Sequence, residues 1–250
     1  MKYLGIEPKK PKVAVFDFTC CEGCELQLAN KEETVADFLK SIEVVNFREV
    51  SSESSDHYEV ALIDGAVSRG DEITRLIKIR KRADLLVTLG ACACFGGINK
   101  LKNAFDLNKA NQEVYGKHPQ ETLPVRAVKE IVPVDLAIPG CPVSKDEVER
   151  VVQHLIWDIP FQFPAYPVCF ECKQQYTTCI FDHGQLCLGP ITMGGCDAPC
   201  PAGSSSCWGC RGPAADPNYK EFLDLAQERG FSRKEIDELL NLSGGFEGVR

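Results

Sequence analysis

Val13-Ala-Val-Phe-Asp-Phe-Thr-Cys-Cys-Glu-Gly-Cys24 is a short apolar run that breaks directly into three cysteines and a glycine. A run such as Val13 to Phe18, without alternation, reads as a strand of a parallel sheet covered on both faces. Cysteines just past its end would lie on the sheet edge where open parallel sheets bind their ligands. Four more runs of the same kind follow, at Glu43 to Phe47, Val60 to Ile63, Leu85 to Leu89 and Leu136 to Ile138. Helical periodicity fills the gaps. Leu26, Ala29, Phe38, Leu39 and Ile42 line one helix face between the first two strands. After the last strand, Pro142 and the capping-box pattern Ser144-x-x-Glu147 open a helix carrying Val148, Val151, Val152, Leu155 and Ile156. The alternation predicts an α/β fold, a flavodoxin-like doubly wound parallel sheet.

Composition narrows the function. The 250 residues carry 28 Lys+Arg against 36 Asp+Glu, a formal net charge of -8, with 44% hydrophobic residues. This is globular composition. The acidic balance argues against binding a nucleic-acid backbone, which needs a basic face to displace counterions. The longest nearly apolar stretch, Leu85 to Ile98, is too short for the roughly 20 residues of a membrane-spanning helix. Met1 to Lys10 lacks the apolar core of a secretory signal, so a cytoplasmic location is expected. In that reducing compartment 14 cysteines are better explained as metal ligands or catalytic thiols than as disulfides.

The cysteines are unevenly spread, six before residue 169 and eight between Cys169 and Cys210. Pro160, Pro164 and Pro167 mark the change as an extended connection. Three regions are therefore expected: a flavodoxin-like domain over residues 12–168, an irregular cysteine-rich iron-sulfur domain over 169–212, and a helical segment over 213–250. The cysteine-rich part is too full of Gly, Pro, Ser and Thr to build an apolar core of its own and needs staples. Beyond it, Asn218 to Arg229 and a capped segment from Ser232, with Glu235 three residues on, read as short helices ended by Gly244 and Gly245.

Cys21 and Cys24 follow the first predicted strand, Cys92 the fourth and Cys141 the fifth, so three distant loops bring four thiols to one cavity. Four thiolates suit a tetrahedral zinc or a cubane 4Fe-4S cluster. Gly23, Gly90, Gly96, Gly97 and Gly140 beside them favour the bulkier cluster, since glycine lets backbone amides approach its sulfurs. Cys20 and Cys94 read as small buried hydrophobes. Without them twelve cysteines remain, three complete quartets. The later eight are spaced Cys169-x2-Cys172-x6-Cys179-x7-Cys187 and Cys196-x3-Cys200-x6-Cys207-x2-Cys210. A zinc ribbon accounts for the two C-x2-C pairs alone. Two zinc sites account for all eight, as do two clusters, and ligands interleaved between the quartets stay open. Three quartets in one small chain favour an electron relay.

Thr19-Cys-Cys-Glu-Gly-Cys-Glu-Leu-Gln-Leu28, Gly90-Ala-Cys-Ala-Cys-Phe-Gly-Gly97, Ile138-Pro-Gly-Cys-Pro142 and the eight-cysteine tail with Leu188-Gly-Pro190 and Cys200-Pro201 together resemble the small subunit of nickel-iron hydrogenases. The resemblance is to the cytoplasmic multi-subunit branch that includes sulfhydrogenases and methyl-viologen-reducing enzymes, and it covers roughly residues 12 to 212. It implies that Cys21, Cys24, Cys92 and Cys141 hold the proximal 4Fe-4S cluster, facing a nickel-iron centre in a separate large subunit. The medial cluster would fall to Cys196, Cys200, Cys207 and Cys210, and the distal one to Cys169, Cys172, Cys179 and Cys187. Hydrogenase activity would then require the large subunit, with no catalytic residue on this chain. Electrons would pass to a flavin- or iron-sulfur-containing partner.

Two departures from the family pattern stand out. Periplasmic and membrane-associated relatives carry a histidine at the position of Cys169 and a three-iron medial cluster; a cysteine at every place here implies three four-iron clusters. Those relatives also place an acidic residue two positions beyond the second cysteine, whereas Glu25 follows Cys24 directly and reads as a solvated or helix-starting glutamate. His57, His118, His154 and His183 show no ligand spacing and read as surface residues. Trp208 is expected to shield a cluster from water, and Lys78 to Arg82 to form a solvated helix end. The other readings are a cluster-bearing subunit of a respiratory quinone reductase, suggested by the tandem Cys20-Cys21 but not by the tail, and a zinc-stabilised scaffold.

Overall fold

The computed structural model describes residues 10–30 and 42–248. Five strands, β1 (Lys12–Asp17), β2 (Glu43–Asn46), β3 (Val60–Asp64), β4 (Leu85–Leu89) and β5 (Leu136–Ile138), form one sheet in the order β2-β1-β3-β4-β5. Every pairing is parallel. The order reverses between β1 and β3, which makes their carboxyl ends the switch point of a flavodoxin-like sheet. Sequence placed all five strands within a residue at each end. Phe18, expected in β1, has left the strand, although its N–H still donates to Asp64 O at 2.9 Å.

Alternate side chains leave the sheet on opposite faces, and both faces are covered. Val13, Val15, Leu62, Val87, Leu89 and Ile138 pack with Val148, Val151 and Val152, the last three from helix α5 (Lys145–Ile156). Ala14, Ala61, Ile63 and Leu86 pack with Leu76 and Ile79, from helix α2 (Gly70–Arg82). Helix α1 (Gly23–Ala29) follows β1. Of the face predicted to continue it, Phe38 and Leu39 lie outside the described residues, while Ile42 is buried. Helices α3 (Gly90–Phe95) and α4 (Leu107–Tyr115) follow β4. The basic run Lys78 to Arg82 ends α2 as expected, with Arg80 bonded to Asp135 at 3.1 Å and Arg82 to Asp56.

Ser144 caps α5 by accepting from the Glu147 N–H at 3.4 Å. The return half of the predicted capping box does not form, because the Glu147 carboxylate turns inward to Arg211. In the cysteine-rich region, short helices α6 (Val168–Gln174) and α7 (Pro199–Ala202) are separated by loops. The helical segment behind it is α8 (Tyr219–Glu228) and α9 (Arg233–Asn241), the latter with the predicted Ser232–Glu235 capping box. These helices supply the apolar surface that the cysteine loops lack. Phe222, Ala226, Ile236, Leu240 and Phe246 share one core with Ile180, Phe181, Leu188 and Ile191.

Replacing the fully buried Ile236 by alanine removes packing at this shared core and is expected to cost about 2–5 kcal/mol. Amide exchange at Leu188 and Ile191 should then accelerate while β3 and β4 keep their protection. Uniform acceleration over the chain would mean that the helices do not stabilise the cysteine loops selectively.

Candidate metal centres

The first site forms at the carboxyl edge of the sheet. After β1 the chain crosses to β3 through the Thr19 and Ala66 bridge, whose two N–H···O bonds are both 2.9 Å. Glu22 then takes a left-handed conformation at φ 61° and starts α1, carrying Cys24 inward. Cys92 comes from α3 and Cys141 from the loop after β5. Cys24 is buried, Cys92 half-buried, and Cys21 and Cys141 are exposed. A side chain at Gly90 is excluded: its φ is +79°, and a Cβ there would fall 2.4 Å from Cys24 Sγ.

These thiols crowd one another electrostatically. Burial, then Asp64, Cys141 and Cys21, push Cys92 up to about 12. Cys24 is raised further, by burial, Asp64, Cys92 and Cys141. Cys141 is raised by burial, Cys21 and Asp64. All four predicted residues therefore share one locality, and thiols crowded in this way ionise together only when a cation takes up the charge. That donor set fits an iron-sulfur core.

Two neighbours, Asp64 and Asn99, escaped the sequence reading, and a third, Glu25, was misread. Asp64, at the end of β3, is buried, and its Oδ2 has no hydrogen-bond partner among the described residues. Burial pushes it up to about 6, against hydrogen bonds from the Gly65 N–H and the Cys24 thiol. Asn99 donates from Nδ2 to Thr19 O at 3.0 Å and to Cys92 Sγ at 3.5 Å, tying the first and fourth loops together. Glu25 begins α1 as expected but is not solvated. It is 1% exposed, and burial, then Asp17 and Asp64, push it up to about 8. No local pattern marks any of these, since their burial depends on which loops the sheet brings together.

Cys20 and Cys94 take different places. Cys94 lies on α3 and is buried, with its Sγ 3.3 Å from Thr88 Oγ1. Cys20 stands nearer the quartet, raised to about 12 by burial, Asp64 and Glu25 among others.

In the tail, Cys169 and Cys172 lie on α6, and Cys179 and Cys187 flank the turn that follows. Burial, then Cys187, Cys172 and Cys179, push Cys169 up to about 12, so these four also form one group. A Cβ built on Gly189 would stand 3.3 Å from Cys169 Sγ and 3.5 Å from Cys187 Sγ, which face a common space. Cys196, Cys200 and Cys210 form the third group. Cys210 is pushed up to about 12 by burial, Cys196, Cys141 and Cys200, and Cys207 is raised by burial, Cys187 and Cys210.

The groups adjoin in a definite order. Cys141 of the first feels Cys200 of the third, and its backbone N–H points to Cys210. At the other side Cys207 donates its N–H to Cys187 Sγ at 3.3 Å. The Cys196 group therefore stands between the other two, although it comes last in sequence. Among the described residues no three Cys, His, Asp or Glu side chains stand close enough to hold one metal ion.

Trp208 departs from its predicted role. It is 52% exposed, so half of its surface stays in contact with water. His57, His118 and His183 are exposed, and the His154 ring packs edge-on against Phe161 at 5.2 Å.

The model of the NADH ubiquinone oxidoreductase 20 kDa subunit family matches residues 21–155. The delta subunit of sulfhydrogenase 2 from Pyrococcus furiosus is 37% identical over 222 residues, 87% of this chain and 92% of the relative. The delta subunit of the NAD-reducing hydrogenase HoxS from Cupriavidus necator is 26% identical over 62% of this chain and 83% of its own length. Among solved structures, an NAD+-reducing nickel-iron hydrogenase superposes with a TM-score of 0.57 at 23% identity, covering 62% of this chain and 96% of that one. An actinobacterial-type nickel-iron hydrogenase from Ralstonia eutropha gives 0.60 at 15% identity, over 93% and 91%. At those identities the structures speak for the fold, while family membership rests on the family match and the Pyrococcus relative. The chain belongs to the NADH ubiquinone oxidoreductase 20 kDa subunit family and, within it, to the small subunits of multi-subunit nickel-iron hydrogenases.

Proposed function

We propose that this chain carries electrons between the nickel-iron centre of a separate large subunit and a flavin- or iron-sulfur-containing partner subunit, by way of three 4Fe-4S clusters. Cys21, Cys24, Cys92 and Cys141 hold the proximal cluster, Cys196, Cys200, Cys207 and Cys210 the medial one, and Cys169, Cys172, Cys179 and Cys187 the distal one. The carrying observation is the line of three thiol groups, joined at Cys141 with Cys210 and at Cys207 with Cys187. A bound 4Fe-4S cluster supplies one-electron transfer at a potential set by hydrogen bonds, charge and burial.

The protein residues have separable tasks in this reading. Twelve cysteines supply thiolates. The Cys207 N–H and the Asn99 amide donate toward ligand sulfurs, which stabilises added negative charge there. Asp64 sets a carboxyl against the proximal group and opposes such charge. Membership among hydrogenase small subunits favours clusters over the zinc scaffold, and the Pyrococcus relative, matching 87% of the chain, extends over the tail that a respiratory quinone-reductase subunit does not require. No helix among the described residues is long and apolar enough to cross a membrane, and we place the complex in the cytoplasm.

Anaerobic metal analysis of the full chain should find about 12 irons, three four-iron clusters, and no hydrogenase activity without the large subunit. About four irons, or two to three zincs, would replace this reading by one of its rivals. Cys94→Ser should keep all three clusters, whereas Cys92→Ser should remove the proximal signal from the paramagnetic resonance spectrum. Cluster loss in the first variant would show that the fourth-strand ligand has been misassigned.

A further inference from the structure

Among the described residues Arg211 is the one buried cation, 2% exposed, and it follows Cys210 directly. Its guanidinium donates from Nη1 to Glu147 Oε2 at 2.7 Å and from Nη2 to Glu147 Oε1 at 2.8 Å, a bidentate pair. Nε donates to Gly194 O at 2.8 Å and Nη1 also to Pro139 O at 2.9 Å. One side chain thus binds the loop before Cys196, the loop before Cys141 and the first turn of α5. The fit is tight: a Cβ on Gly195 would fall 2.7 Å from Nη2 and 2.9 Å from Glu147 Oε1.

Burial opposes the charge on Arg211, but hydrogen bonds to Glu147 and its charge outweigh it, and the guanidinium is held above its usual value. After Glu147, the groups that act on it electrostatically are Cys196 and Cys210, the second its neighbour in the chain. In a low-dielectric interior a fixed charge this near acts with little screening.

We propose that Arg211 is a positioning residue for electron transfer: anchored through Glu147, it fixes a permanent positive charge beside Cys196 and Cys210 that raises the reduction potential of the group held there. The inference rests on the reading of the Cys196 quartet as a cluster site. A cation favours the more negative, reduced state, and the Glu147 carboxylate opposes it. Since Glu147 and Pro139 belong to the sheet layer and Arg211 to the tail, the potential at the middle of the line depends on how the two layers seat against each other.

The test is a potentiometric titration of the intact hydrogenase complex followed by paramagnetic resonance, with the middle signal assigned as the one lost in Cys200→Ser. In Arg211→Gln that signal should move to lower potential by at least a tenfold change in the reduction equilibrium, about 59 mV for a one-electron couple, while the other two stay. Arg211→Lys should recover part of the shift. Glu147→Gln should move the same signal upward, because an opposing charge is gone. A purely packing role predicts the same direction in both, and that result, or an unmoved signal, overturns the inference. If Arg211→Gln does not assemble, the upward shift in Glu147→Gln decides alone. A wild-type complex with no signal lost in Cys200→Ser overturns the cluster reading itself, whereas an unmoved middle signal overturns only the role of Arg211.

Discussion

Thiols crowded together in protein ionise together only around positive charge, and that constraint governs the surroundings of the cysteines in this chain. In the first group burial is the largest cause raising Cys24, Cys92 and Cys141, and mutual proximity adds to it. The same holds for Cys169 and Cys210 in the tail. A cationic core bound there would reverse the sign of that repulsion and turn it into folding free energy. The sheet makes this possible at the first site, because its parallel strands deliver their following loops to one edge. The tail has no such scaffold. It leans on α8 and α9 for apolar packing, which is why the segment after Cys210 is part of one core with the cysteine loops.

The two halves meet over a charged contact. A buried ion pair is weak evidence for stability in itself, since desolvation offsets most of its attraction, yet removing one partner typically costs about 3–5 kcal/mol. Arg211 and Glu147 therefore act less as an adhesive than as a register mark: only one seating of tail on sheet satisfies both side chains and the carbonyls of Pro139 and Gly194. That seating also brings Cys141 beside Cys200 and Cys210. Spatial order along the line of cysteines follows from this contact, and it differs from order along the chain.

Much of the sheet was legible because the signals are local. Val13 to Phe18 and Leu85 to Leu89 are short apolar runs followed by glycine and cysteine, and Ser232 with Glu235 forms the capping box its spacing announces. Other residues misled for the same reason. Glu147 stands three places after Ser144 and matches a capping pattern, but a buried guanidinium binds the carboxylate more strongly than a backbone N–H at a helix end. Glu25 looks like an ordinary acid in a first turn, yet the loops around it leave it 1% exposed.

Residue types and spacings alone determined the α/β class and the five strands, and the cysteine motifs pointed to the family, since each depends on chemistry within a few residues of the chain. The neighbours of the cysteine groups, Asp64, Asn99 and Arg211, and the shared core behind the tail were decided only in the tertiary structure. Each of these depends on contacts between segments far apart in the chain, as Glu147 is from Arg211, and no local pattern encodes a distance between segments that meet only after the sheet has formed.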